Sequence, residues 1–131
     1  MNLTIDMMRS LKEVGFAFEE FEHSCNPGMV FFYNHSEYVI GGKCDGSPCS
    51  EFDKIVALEG TWLPDESQLM LWLQWKESYD LLIKYIDEDM YFYGEATNKA
   101  GEKICGSGPD LLCCFYKLIF KICRAKFNNN I

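Results

Sequence analysis

The spacing of hydrophobic residues predicts helices at both ends of the chain and one near its middle. Apolar residues recur at helical intervals in residues 5–14, directly after Thr4, whose hydroxyl can cap a helix. A second helix is expected after Asp65, which has the spacing of a capping box with Gln68. The third predicted helix covers residues 108–126, where apolar positions form one stripe and basic positions the opposite one.

Alternation of apolar and polar residues predicts strands between these helices. The predicted strands cover residues 16–23, 29–33, 37–41, 79–86, 90–98 and 101–106. Residues 54–58 are expected to form a further short strand or a turn. The resulting order, α-βββ-α-βββ-α, predicts an α+β fold in which about three helices pack on an antiparallel sheet in two layers.

The length of the chain fits a single domain. A chain of 131 residues with 48% hydrophobic residues is long enough to bury a substantial core. Residues 1–131 are therefore predicted to form one domain. Residues 41–53, rich in Gly, Pro, Ser and Asp, are predicted to form a long loop, and residues 127–131 a frayed tail.

The charge of the chain lies mostly in its first half. The net charge is −8, and residues 1–66 contain 12 acidic and 4 basic residues. An acidic surface repels nucleic acid, so we expect no DNA or RNA partner. A protein partner with a basic surface is expected instead, and Glu19, Glu20 and Glu22 are the acidic residues predicted to dock it. The alternative is an ordinary solvated face.

No segment of the sequence indicates export or membrane insertion. The N-terminus carries charges and no continuous apolar run, and the most apolar stretch, residues 111–122, contains two lysines. We therefore expect a cytoplasmic protein with no membrane contact.

Tyrosines in the predicted strands suggest a second binding surface. Tyr91, Tyr93 and Tyr79 are expected to line an outer face of the sheet. Aromatic residues with polar tips are enriched at binding surfaces. Ordinary packing between neighbouring strands is an equally good interpretation.

The cysteines leave two interpretations open. There are seven, and in a reducing cytosol they are expected to be free thiols, or to include a reversible disulfide between Cys44 and Cys49. The alternative is a zinc site, since zinc prefers four sulfur or nitrogen ligands. The candidate ligands are His23, Cys25, His35, Cys44 and Cys49. No other cofactor is expected.

Residues 61–124 contain a Trp-Leu-Pro entry into an amphipathic helix, tyrosine-rich strands, and a glycine-containing turn before a last helix ending in Ile-Cys-Arg-Ala. In these features the segment resembles the small uncharacterised phage and prophage proteins of the α-β-α (ABA) sandwich type. The resemblance implies a small protein of a mobile element, from a phage or a bacterium. It supplies no catalytic residues.

Three hypotheses of function remain. With no nucleophile motif, phosphate loop or dinucleotide fingerprint in the sequence, we expect a non-catalytic accessory protein, monomeric or homodimeric, that presents an acidic and aromatic surface to a protein partner. The alternatives are a metal- or ligand-binding domain that uses the cysteines and histidines of residues 23–49, and an immunity-type or anti-defence inhibitor of a basic enzyme.

Overall fold

The computed structural model of the chain describes residues 1–18, 21, 23–41 and 49–129. Their helices and strands are α1 (Ile5–Glu13), β1 (Val30–Tyr33), β2 (Ser36–Val39), α2 (Glu51–Glu59), β3 (Thr61–Trp62), α3 (Glu66–Leu71), β4 (Asp80–Ile86), β5 (Tyr91–Thr97), β6 (Lys103–Gly108) and α4 (Leu111–Asn129). A π-helical turn, Trp72–Lys76, follows α3 directly.

The predicted α+β class and antiparallel pairing are confirmed. The strands divide into two three-stranded sheets, ordered β2-β1-β3 and β4-β5-β6, in which all neighbours are antiparallel. The described residues contain four α-helices, one more than expected. The predicted caps hold as well, because the Thr4 hydroxyl accepts the Met7 N–H and Asp65 forms a capping box with Gln68.

The first sheet is built on a tight hairpin. Asn34 and His35 join β1 to β2 with φ angles of 52° and 67°. Two successive positive φ angles are typical of the turn that matches the twist of a two-residue hairpin. The third strand of this sheet is the short β3, whose Trp62 pairs with Phe31 of β1.

The predicted strand at residues 16–23 is wrong for the part of it that the structure describes. Phe16 and Phe18 are buried, but the segment turns back on itself through a hydrogen bond from the Phe21 N–H to the Phe18 carbonyl. The rings of Phe18 and Phe21 both pack on Trp62. The Ala17 carbonyl accepts the indole N–H of Trp72 instead of a strand partner. Aromatic packing therefore explains the apolar pattern here.

The end of the predicted loop 41–53 and the short strand or turn at residues 54–58 are together the helix α2. Ser50 caps it and forms a capping box with Asp53. Asp53 is 4% exposed, and its carboxylate accepts a hydrogen bond from the Tyr38 hydroxyl at 2.7 Å. This bond holds the pKa of the Asp53 carboxyl below its usual range. The bond also ties α2 to β2. Residues 42–48 of the predicted loop lie outside the described residues.

Helix α4 is the central element of the second half of the chain. It packs on β5 and β6, and α1 and α3 pack against it as well. Its buried residues are Leu112, Cys114, Phe115, Leu118, Ile119, Ile122 and Cys123. The helix continues to Asn129, so the predicted frayed tail is helical up to that residue. Residues 130 and 131 are not described.

Glycines bring α4 close to the second sheet. Gly94 of β5 pairs with Gly106 of β6, and both face the helix. A methyl group on Gly94 would lie 2.8 Å from the Cys114 Sγ and 3.2 Å from Leu118 Cδ1. Since carbon and sulfur atoms do not approach so closely without strain, the helix sits at a distance that only glycine permits.

We predict that Gly94→Ala lowers the free energy of unfolding by about 1–3 kcal/mol, because the added methyl overpacks the contact with α4. Thermal or urea unfolding followed by circular dichroism measures the change. The matched control is Gly41→Ala, since a methyl there has no atom within 4 Å, and we expect it to stay within about 0.5 kcal/mol of the parent. Equal stability of the two variants would contradict the close packing of α4.

Candidate functional site

The second sheet has one covered face and one open face. Gly94 and Gly106 lie against α4, on the side to which a side chain at these positions would point. Side chains alternate along a strand, so the residues before and after each glycine point to the opposite side of the sheet. We call that opposite side the outer face. Its side chains are Asp80, Leu82, Lys84, Ile86, Tyr91, Tyr93, Glu95, Thr97, Lys103, Cys105 and Ser107.

Hydrogen bonds fix the middle of the outer face. The Tyr93 hydroxyl lies 3.0 Å from Glu95 Oε1 and 3.1 Å from the Cys105 Sγ. The Lys103 ammonium lies 3.4 Å from the other oxygen of Glu95. Glu95 and Cys105, from two neighbouring strands, therefore hold the phenol in one orientation, and Lys103 holds Glu95 in turn.

These contacts shift the pKa of both acidic groups. The hydrogen bond from Tyr93 lowers the pKa of Glu95 below its usual range, and the charges of Lys103 and Lys84 lower it further. The hydrogen bonds that Tyr93 makes with Cys105 and Glu95 raise the pKa of the phenol. Near neutral pH the outer face thus presents an ionised carboxylate and a protonated phenol.

No histidine lies beside the Cys105 thiol among the described residues of the outer face. A cysteine nucleophile requires a base, most often histidine, within hydrogen-bonding distance. The thiol of Cys105 instead contacts a phenol that retains its proton. His23 precedes β1 and His35 lies in the β1–β2 turn, so neither histidine belongs to the outer face.

Apolar groups surround this polar centre. Tyr91 is half-buried and lies opposite Ile86, while Leu82 is 47% exposed. The exposed turn that joins β4 to β5 contains Asp87, Glu88 and Asp89. An acidic turn therefore borders an aromatic surface.

The structure brings together two of the five predicted partner-binding residues. Tyr91 and Tyr93 lie on the outer face, as the alternation pattern predicts. Tyr79 does not, because it is 9% exposed and belongs to the core. The predicted acidic residues Glu19, Glu20 and Glu22 lie outside the described residues.

The residues that surround the Tyr93 hydroxyl, Glu95, Lys103 and Cys105, were not predicted as site residues, although the sequence contains a signal for them. Lys103 and Cys105 are two residues apart in a strand, as are Tyr93 and Glu95, so alternation alone places each pair on one side. What alternation does not give is the register that sets Glu95 opposite Cys105.

The candidate zinc ligands are arranged differently from the prediction. Cys25 and Cys49 form a disulfide, so the expectation of free thiols is wrong for these two residues. The expected alternative pairing of Cys49 with Cys44 is also wrong in this structure. His23 and His35 are exposed, and Cys44 is not described. Within the described part of the chain no three His, Cys, Asp or Glu side chains converge on a metal-sized site. The zinc site stays a prediction for the reduced chain.

Comparison with protein families, with curated proteins and with solved structures returned no match for this chain. The resemblance of residues 61–124 to phage and prophage proteins therefore stays a prediction. No helix within the described ranges has the length and apolar character needed to cross a membrane.

We predict that Cys25 and Cys49 resist alkylation by iodoacetamide in denaturant without reductant and react after reduction, because a disulfide sulfur is not a nucleophile. Peptide mass spectrometry reads each residue separately. Cys105, which is free and half-buried, is the control and should react in both conditions. Labelling of Cys25 and Cys49 before reduction would refute the pairing.

We predict that Tyr93→Phe raises the pKa of Glu95, because the variant removes the hydrogen bond that lowers it most. The carboxyl carbon of Glu95, followed by NMR during a pH titration, measures the shift. A group with a lowered pKa stabilises the folded state above its unfolded pKa, and this contribution is lost as the pH falls through the folded pKa. The variant should therefore lose more stability at pH 7 than at pH 3.

The control for this titration is Tyr91→Phe. Tyr91 shares the outer face with Tyr93 but is not among the groups that account for the lowered pKa of Glu95. This variant should therefore leave the Glu95 titration unchanged. A Glu95 pKa that is the same in both variants would show that Tyr93 does not hold the carboxylate.

Proposed function

We propose that the chain is a non-catalytic protein-binding module that recognises its partner through the outer face of the second sheet. The observation that carries the proposal is that tyrosine and leucine side chains lie on the face of the second sheet that is turned away from α4. Tyrosine supplies a large apolar surface with a polar tip and few rotatable bonds, and it is enriched in interface cores.

The rigid centre of the outer face supports this proposal. Tyr93 is held by Glu95 and Cys105, and Glu95 is also paired with Lys103. A side chain that is already ordered loses little conformational entropy when a partner binds. The outer face is therefore preorganised at Tyr93 and more adaptable at its exposed Leu82.

The charge around the outer face favours a basic partner. The exposed turn Asp87–Asp89 places three acidic residues next to Tyr91. Opposite charges across an interface raise the association rate and exclude partners of the wrong sign. An inhibitor of the immunity or anti-defence type, which binds a basic enzyme, is the specific form of this proposal, and its binding should weaken as salt increases.

The test places a photo-crosslinking phenylalanine analogue at position 91 and, in a second sample, at position 52. Phe52 is an exposed aromatic residue on α2, 49% exposed, and serves as the matched control site. After irradiation in a lysate of the source organism, we expect a crosslinked protein from position 91 that is absent from position 52. Crosslinks of equal yield from both sites would contradict the proposal.

The captured protein, once purified, allows a second measurement. Tyr91→Ala should weaken its binding roughly tenfold or more, since truncation of a central interface tyrosine typically costs about 2 kcal/mol. Tyr91→Phe keeps the ring and should bind nearly as well as the parent. If Tyr91→Ala leaves the affinity unchanged, the outer face is not the binding surface. If the affinity does not fall between low and high salt, the partner is not recognised through its basic charge.

A further inference from the structure

We propose that two copies of the chain pair through the outer edges of their β4 strands, so that their second sheets join into one antiparallel sheet of six strands. The proposal does not rest on the proposed function. It starts from the fact that β4 is seven residues long and has β5 as its one strand neighbour in the described part of the chain. An edge strand presents unpaired N–H and C=O groups that can extend a sheet.

The opposite edge of the same sheet is less available. The Cys105 carbonyl of β6 accepts a hydrogen bond from the Lys121 ammonium of α4 at 2.6 Å. A side chain from the covering helix thus occupies an acceptor of the β6 edge. The β4 edge instead carries two large exposed apolar residues, Leu82 and Tyr85, at 47% and 48% exposure.

Symmetry limits how two β4 strands can pair. A two-fold axis perpendicular to the sheet makes the strands antiparallel and keeps both outer faces on the same side. The axis must then pass beside one residue of β4, which lies opposite its own copy. Each choice of this residue gives a different register between the two strands. The register decides which outer-face side chains of the two copies lie opposite each other.

The charges on β4 select one of these registers. On the outer face β4 presents Asp80, Leu82 and Lys84 in that order. If the axis passes beside Leu82, each Asp80 lies opposite Lys84 of the second copy, and the two leucines meet between the two ion pairs. An axis beside Lys84 or Asp80 sets like charges against each other, which destabilises a sheet. An axis beside Leu81, Ile83 or Tyr85 sets a charged residue opposite an apolar one, and an axis beside Ile86 leaves Asp80 with no residue of the second β4 opposite it.

Helix α4 leaves room for this pairing. Helix α4 packs on β5 and β6, the two strands of the sheet that lie away from the β4 edge. The two α4 helices of a dimer would therefore lie on the same side of the joined sheet but apart from the new junction. The outer faces would form one continuous surface across both copies.

Sedimentation equilibrium of the full chain at several concentrations tests the pairing. We expect a dimer for the parent protein. Lys84→Glu alone and Asp80→Lys alone should each weaken the dimer about tenfold or more, because each sets two like-charged pairs across the axis. The double variant, Asp80→Lys with Lys84→Glu, restores opposite charges in both pairs and should dimerise like the parent.

Lys54→Glu is the matched control, since it makes the same change of charge at an exposed position of α2. It should leave the dimer intact. Circular dichroism of every variant separates loss of pairing from loss of folding, and recovery in the double variant makes the same distinction. A parent protein that stays monomeric at several hundred micromolar, single variants that dimerise fully, or a double variant that fails to recover would each overturn the proposal.

Discussion

The close approach of α4 to the glycines of the second sheet is the contact on which the remaining structure depends. Gly94 and Gly106 leave space that Cys114 and Leu118 of the helix fill. The helix is thereby held against β5 and β6, and α1 and α3 pack against it in turn. Larger residues at these positions would move the helix away from the sheet. They would also weaken the packing of every element that rests on the helix.

This packing also makes the second sheet asymmetric. Covering elements lie on the glycine side, where the strands offer small and apolar residues, while Tyr91, Tyr93 and Glu95 lie on the side away from α4. The outer face is therefore a consequence of where the glycines lie. Its hydrogen bonds fix the phenol of Tyr93 without enclosing it. Tyrosine is enriched among the residues of protein–protein interfaces.

Local patterns predicted some parts of the fold and not others. Alternation in residues 79–98 predicted β4 and β5, and placed Tyr91 and Tyr93 on one side. The capping-box spacing of Ser50 with Asp53 is present in the sequence, but it lies in a segment whose Gly, Pro, Ser and Asp content predicts a loop, so the local pattern does not predict α2. Residues 16–18 depend on the distant Trp62 and Trp72, which no local pattern shows. The Cys25–Cys49 pair likewise follows from the tertiary fold, since seven cysteines allow many pairings.

Helix α4 closes one face of the second sheet and leaves the other open to solvent. Paramagnetic relaxation by a soluble gadolinium chelate, measured by NMR on the intact chain, compares the solvent access of the two faces. We expect strong relaxation of the ring protons of Tyr91 and Tyr93 and weak relaxation of the methyl groups of Leu118 and Ile119, which are fully buried. Tyrosine rings as well protected as the Leu118 methyls would contradict this expectation, because the outer face would then be covered.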